Sequence, residues 1–421
     1  MERLVIRGGR RLAGTVRTSG AKNAVLKLMA ASILANEPCL IRNVPRKISD
    51  VEVMIGVLRG LGVKVDWEDP TSLRLDPRGE LGFHAPDELV REMRASIQVI
   101  GPLLGRVGHA RVYQPGGCVI GQRPIDLHLK GFAAQGAEVR EEHGYIEVIG
   151  EKLQGAEIHL DFPSVGATEN IMAAAILAEG TTIIRNAAKE PEIIEEQNFY
   201  NRLGARIRGA GTDTIRIDGV ESLNHREIDY SVIPDRIEVG TFMIAAALTG
   251  GDVTVQDVIP EHVEAISAKL REIGAEVTRG EDSLRVLGRG RPKAVDVTVL
   301  PYPGFPTDLQ SPMAALLSVA DGTSIITDHV FEARFRYVDE LLRMGANIRV
   351  EGRSAIVKGV PRLSGAEVVA PDLRGGAALV LAGLVAEGET TIYGTKHIDR
   401  GYEEIERKFQ GIGAEIERVI D

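Results

Sequence analysis

The sequence predicts an α/β protein of six similar units, grouped as two similar domains of three βαβαββ-like units each, with apolar helices inside and sheets outside. Three observations predict it. A phrase of helix, β run, amphipathic segment and Gly-centred turn recurs through the chain. The helices of that phrase are apolar nearly all round. The last unit runs out of strands, and the N-terminus has strands to spare.

The repeat is read from its turns. Gly62, Gly136, Gly204, Gly274, Gly345 and Gly413 follow one another at intervals of 74, 68, 70, 71 and 68 residues. A fixed period marks a duplicated supersecondary unit, and this one is too long for a common solenoid. The helices run over 24–35, 171–178, 241–248, 312–317 and 377–384, with 95–104 as the divergent member. An all-round apolar helix is buried on every side. The second helix of a unit is amphipathic, as in Val51-Glu-Val-Met-Ile-Gly-Val-Leu-Arg59. Alternating β-branched runs follow each turn, for example 274–277, 283–287 and 295–299 in the fourth unit.

The sixth unit ends at Gly413-Ala-Glu-Ile-Glu-Arg-Val-Ile420 without a partner strand, while 3–6 and 12–16 read as strands at the other end. An unpaired edge is costly. Residues 1–21 are therefore expected to pair with the C-terminal unit. That gives one domain of residues 22–232 and a second of 1–21 plus 233–421, with the crossings near 21–23 and 231–236.

Composition excludes several classes. Hydrophobic residues make 44% and charged residues 26% of the chain, as in ordinary globular enzymes. A net charge of −10 argues against broad nucleic-acid binding. The helices are too short to span a bilayer. Met1-Glu-Arg3 begins no apolar targeting segment, and two cysteines make no disulfide framework, so a cytoplasmic protein is expected. The histidines show no metal-ligand spacing and no Walker A sequence occurs, so no cofactor and no metal are expected.

Chemistry is sought where the repeat is broken. The second unit carries Gln114-Pro-Gly-Gly-Cys118, followed by Gly121, Arg123 and Asp126. Glycines free the loop, and a nearby arginine favours a thiolate. Cys39, inside a strand, reads as core. A second constellation precedes the apolar helices: Lys22-Asn23, Arg91, Arg94, Ser164-Val-Gly166, Pro234-Asp-Arg236, Asp308, and Asp372 with Arg374. Helix starts suit phosphates. The plain alternative for Asp308, Asp372 and Thr168 is N-capping, and for Arg91 a solvated face. Lys22, opening a nearly apolar helix, is harder to explain that way.

Ser19-Gly-Ala-Lys-Asn23, Met93-Arg-Ala-Ser96, Pro115-Gly-Gly-Cys118, Arg123-Pro-Ile-Asp-Leu-His128, Ser164-Val-Gly-Ala-Thr168, Pro234-Asp-Arg236, Tyr302-Pro-Gly-Phe-Pro-Thr-Asp308 and His397-Ile-Asp-Arg-Gly401 together resemble the UDP-N-acetylglucosamine 1-carboxyvinyltransferases, of the enolpyruvyl transferase family. The resemblance spans essentially the whole chain. It implies an inside-out α/β barrel of two domains. It also implies transfer of the enolpyruvyl group of phosphoenolpyruvate to the 3′-hydroxyl of UDP-N-acetylglucosamine, with release of phosphate. That is the first committed step of peptidoglycan precursor synthesis.

Residue by residue, the resemblance implies Cys118 as the general acid, adduct-forming thiol and fosfomycin target, and Asp308 as the acceptor of the sugar hydroxyl proton. Lys22, Arg123 and Arg400 would clamp phosphoenolpyruvate, with Asn23 positioning the reacting centre. Arg94, Arg123, Pro124, Ile125, Asp126, Leu127, Ser164, Val165, Gly166, Asp308 and Val330 would contact the UDP-sugar. Glu190, Asp372 and Arg374 would support the cleft. The substrates are the only partners implied: no nucleic acid, membrane or obligate protein. Phe162 stands where some members have Lys, which removes a charged contact to the diphosphate. Closure of the halves over a reactive ketal is a further expectation. The sister reading, a 3-phosphoshikimate 1-carboxyvinyltransferase, would lack the Pro-Gly-Gly-Cys loop. A non-catalytic relative would have lost Cys118, Lys22, Asp308 or Arg400.

Overall fold

The computed structural model describes residues 2–114 and 125–420. Cys118, Arg123 and Pro124 lie outside the described residues.

The six turn glycines all sit at positive φ, from 87° at Gly345 to 106° at Gly204, where a side chain would be strained. Each ends the amphipathic helix of its unit and turns the chain into a strand. The apolar helices are buried throughout. In Arg236–Leu248 every residue from Ile237 to Leu248 is buried, and in Leu373–Val385 every residue from Arg374 to Leu384.

Among the described residues there are six sheets, five of four strands and one of three. They lie outside the helices, so the architecture is the inside-out α/β arrangement. Each sheet holds an antiparallel set from its own unit and takes one parallel strand from the unit before. Val297–Val299 joins Thr323–Asp328, Glu367–Val369 joins Glu389–Tyr393, Glu157–His159 joins Thr181–Arg185, and Ile228–Ser231 joins Cys39–Arg42. In the three-stranded sheet the borrowed piece is a single parallel bridge, His84 to Arg111. Passing a strand to the next sheet covers an edge that would otherwise be open.

The N-terminus obeys the same rule, and this corrects the sequence reading. Glu2–Arg7 does complete the sixth sheet, lying between Glu389–Tyr393 and Glu415–Ile420. Ala13–Arg17 does not join it. That strand pairs in parallel with Asp252–Gln256 of the fourth unit. With Glu2–Arg7 and Glu367–Val369 in place the sixth sheet already has four strands. The open edge left to fill is the fourth unit's.

Buried apolar residues form two cores. One runs from Ala21 to Val232, and the other joins Leu4, Ile6, Leu12 and Val16 to residues from Ile237 to Ile416. Two chain segments pass between them side by side: the Ala21 N–H donates to Ile233 O at 2.7 Å and the Asp235 N–H to Ser19 O at 3.0 Å. Between them Gly20 lies so close to the next turn that a Cβ would sit 1.8 Å from Asn43 O.

Candidate active site

The side-by-side segments bring two helix starts together. Lys22 is the first residue of Lys22–Ala31, and Asp235 caps Arg236–Leu248 by accepting from the Ile237 and Glu238 N–H groups. The Asp235 carboxylate also accepts from the Lys22 N–H at 3.0 Å. One side chain therefore satisfies free donors of both helices and fixes where Lys22 begins.

The Lys22 ammonium is buried and lies 2.8 Å from Oδ2 of Asp50. Arg400 reaches the same carboxylate from the other core, with Nε 2.8 Å from Oδ1 and Nη2 3.4 Å from Oδ2. Burial lowers the pKa of Lys22; Asp50 opposes the shift, and Arg374 and Arg400 add to it. Burial also works against the Asp50 charge, but Lys22 and Arg400 outweigh it and hold the carboxyl below its ordinary range.

Asp308 stands on the one-turn segment Thr307–Leu309 and caps no helix, so the capping alternative does not hold for it. Arg374 approaches Oδ2 with Nη2 at 3.0 Å, and Arg334 approaches Oδ1 at 2.8 Å. Both guanidinium groups are almost wholly buried, 2% and 5% exposed. Burial disfavours the Arg374 charge, but Asp308 and its other neighbours hold the group protonated, above its ordinary range. Asp372 is a cap: it accepts from the Arg374 and Gly375 N–H groups at 2.9 Å. Thr168 is not; Ser164 caps that helix, and Thr168 donates to Ser164 O.

The residues expected at the sugar nucleotide are gathered in part. Ile125 precedes Asp126–Ala134, Leu127 lies in its first turn, and Ser164 precedes Val165–Ala175. The two helix starts adjoin, since a Cβ on Gly166 would lie 3.1 Å from the His128 ring. His128 accepts from Asn170 at Nδ1, and burial, with Arg94 nearby, pushes its pKa down to about 3. Arg94 thus belongs to this group. Val330 belongs to the other core, where its N–H donates to Asp328, which also accepts from Thr307 beside Asp308. Asn23 is half-buried, and its carbonyl accepts from Lys27. Phe162 is 40% exposed. Glu190 accepts from the Tyr302 N–H at 3.5 Å, and burial raises its pKa.

Sequence reasoning missed Asp50 and Arg334. Asp50 reads as an ordinary acid in the first turn of an amphipathic helix, where the dipole alone would explain it. Arg334 carries no motif. Only their distant partners mark them.

Comparison with known proteins shows the family. A family model described as EPSP synthase (3-phosphoshikimate 1-carboxyvinyltransferase) matches residues 6–409. The UDP-N-acetylglucosamine 1-carboxyvinyltransferase 1 of Symbiobacterium thermophilum is 57% identical over 99% of this chain and 95% of that protein. The protein of that name from Carboxydothermus hydrogenoformans is 53% identical over 100% of this chain and 99% of its own. Among solved structures, the enolpyruvyl transferase NikO from Streptomyces tendae is 27% identical, with a TM-score of 0.89 over 99% of both chains. EPSP synthase from Acinetobacter baumannii, 18% identical with a TM-score of 0.73 over the full length of both, shares the fold. The chain belongs to the enolpyruvyl transferase family and, within it, to the UDP-N-acetylglucosamine 1-carboxyvinyltransferases.

Proposed function

We propose that this enzyme transfers the enolpyruvyl group of phosphoenolpyruvate to the 3′-hydroxyl of UDP-N-acetylglucosamine, by addition and elimination through a tetrahedral ketal, and releases phosphate. The observation that carries the reading is the meeting of Lys22 and Arg400, from different cores, beside a carboxylate-bearing wall formed by Asp308 and Arg374. Two cations from opposite sides suit an anionic donor, and arginine forks match phosphate and carboxylate. Asp308, held as a carboxylate by two buried guanidinium groups, would accept the proton of the sugar hydroxyl as oxygen attacks C2 of the enolpyruvyl group. Cys118 would give a proton to the methylene carbon. Arg123 and Asn23 would complete the donor site. Arg94, Pro124 to Leu127, Ser164 to Gly166 and Val330 would hold the sugar nucleotide, with Glu190 and Asp372 in support.

The two separate cores support a division into domains 22–232 and 1–21 plus 233–421. Among the described residues no helix is long and apolar enough to cross a membrane, which fits a cytoplasmic enzyme of peptidoglycan precursor synthesis acting on small molecules.

The test is phosphate release with both substrates, with each alone, and with shikimate 3-phosphate as the acceptor, in the wild type and in Cys118→Ala. Release that needs UDP-N-acetylglucosamine and phosphoenolpyruvate together, and is lost in Cys118→Ala, is expected. Release only with the shikimate acceptor would overturn the reading.

A further inference from the structure

We propose that Asp50 is a positioning residue of this reaction, holding Lys22 and Arg400 together as one clamp for the anionic groups of phosphoenolpyruvate. The inference rests on the functional reading above and adds a residue to it.

The Asp50 side chain is only 4% exposed. A carboxylate so buried is costly unless its oxygens are paired. Both are: Oδ1 by Arg400 Nε, Oδ2 by Lys22 Nζ and, more weakly, by Arg400 Nη2. Arg400 is 350 residues away in the chain. Lys22 and Arg400 belong to different cores, so this one side chain fixes the geometry of a two-sided site.

Docking alone does not explain the residue. The segment bearing Arg400 is already fastened to the start of the helix Ser49–Gly60 by other bonds. The Ser49 N–H donates to Asp399 O at 3.1 Å, the Lys47 N–H to Glu403 at 3.1 Å, and the Lys47 ammonium lies 2.8 Å from Glu404. A buried ion pair adds little to stability over an apolar replacement. What Asp50 supplies, and those bonds do not, is a single anion shared by both cations. It also leaves them donors: an ammonium has three and a guanidinium five, and Arg400 Nη1 is not bonded to Asp50.

The second reason is electrostatic. Lys22 is buried with Arg374 and Arg400 as charged neighbours, both of which disfavour its proton. Asp50 is the anion paired with the ammonium and acts in its favour, while the Asp235 carboxylate, facing the same residue, is bonded to its backbone N–H. Neutralising Asp50 leaves Lys22 and Arg400 without their shared anion, with Arg374, itself paired with Asp308, also acting on Lys22. Lys22 then loses its proton more readily, and its ammonium is what meets a phosphate.

The experiment compares wild type with Asp50→Asn, which keeps the shape and removes the charge. Phosphoenolpyruvate binding is measured by calorimetry without acceptor, and kcat and both KM values are followed against pH. Outer partners of metal ligands typically matter by about 10- to 100-fold, and by the same positioning logic a loss of that order is expected in phosphoenolpyruvate affinity and kcat/KM. The alkaline limb of kcat/KM for phosphoenolpyruvate is expected to move to lower pH, with KM for UDP-N-acetylglucosamine nearly unchanged. Unchanged phosphoenolpyruvate affinity and an unmoved limb in folded Asp50→Asn would overturn the proposal. Should Asp50→Asn not fold, Asp50→Glu decides: charge kept but displaced, it should retain the limb and lower kcat/KM, and unchanged kcat/KM would overturn the proposal. If the wild type binds phosphoenolpyruvate but does not use UDP-N-acetylglucosamine, the functional reading fails while the calorimetric comparison still judges Asp50.

Discussion

Arg374 holds Asp308 across 66 residues of chain, with Nη2 at 3.0 Å and Nε at 3.3 Å from the same carboxylate oxygen. Arg334 takes the other oxygen at 2.8 Å. Asp308 is thereby held in a fixed rotamer as an anion.

Asp308→Asn keeps the shape and removes the base. General-base contributions are typically about 10²–10⁴-fold, and kcat is expected to fall by that order while phosphoenolpyruvate binding is kept. Steady-state phosphate release and calorimetry together check this; unchanged kcat would remove Asp308 from the proton transfer.

Arg374→Ala removes one member of a buried ion network. Asp308 keeps Arg334 and its side chain is 22% exposed, so losing one partner is expected to cost about 1–3 kcal/mol rather than the larger cost of a buried charge left unpaired. Urea denaturation of the variant is expected to show a loss of that size, together with loss of turnover. A stability within about 1 kcal/mol of wild type would mean that Asp308 finds water instead.

Glu195 gives a pH-dependent term. Its side chain is buried, and burial pushes its carboxyl up to about 7 although Ile233 N–H and Tyr230 donate to it. The folded chain therefore keeps a proton that the unfolded chain releases at the ordinary carboxyl pKa of about 4.3. The stabilisation is fully present below that pH and is lost as pH rises through 7. At 1.36 kcal/mol per unit, the stability of wild type relative to Glu195→Gln should fall by roughly 4 kcal/mol over that window, most of it between about pH 5 and 7. Denaturant titrations at pH 5 and 8 measure it, and parallel pH profiles for the two proteins would refute it.

Deleting residues 2–7 removes the strand that lies between Glu389–Tyr393 and Glu415–Ile420. Leu4 and Ile6 of that strand are wholly buried in the second core. The truncated chain is expected to lose cooperative unfolding of that core. The milder Leu4→Ala is expected to cost about 2–5 kcal/mol. Calorimetric scans of both variants test this, and an unchanged transition in the truncated chain would contradict the pairing.

Much of the fold was legible because it is repeated. A glycine at positive φ and a helix apolar on every side are local facts, decided within a few residues. The destination of the second N-terminal strand was not legible. Nothing in Ala13–Arg17 distinguishes the sixth sheet from the fourth, since both offer a hydrogen-bonding edge. Only the count of strands already in place decides between them.

The site divides in the same way. Lys22, Asp308 and Arg400 stood out in the sequence because each lies in a motif at a loop or helix start. Asp50 and Arg334 did not, since an acid in the first turn of a helix satisfies local rules anywhere and Arg334 lies in no motif. By itself the sequence determined the six-unit α/β plan, the family and the loops that carry the chemistry, because periodicity, turn glycines and motifs are properties of neighbouring residues. Only the tertiary structure decided which acid neutralises which cation. Asp50 and Arg400 are 350 residues apart, and a buried charge takes its partner from whatever the packing of the two cores brings within a few ångströms.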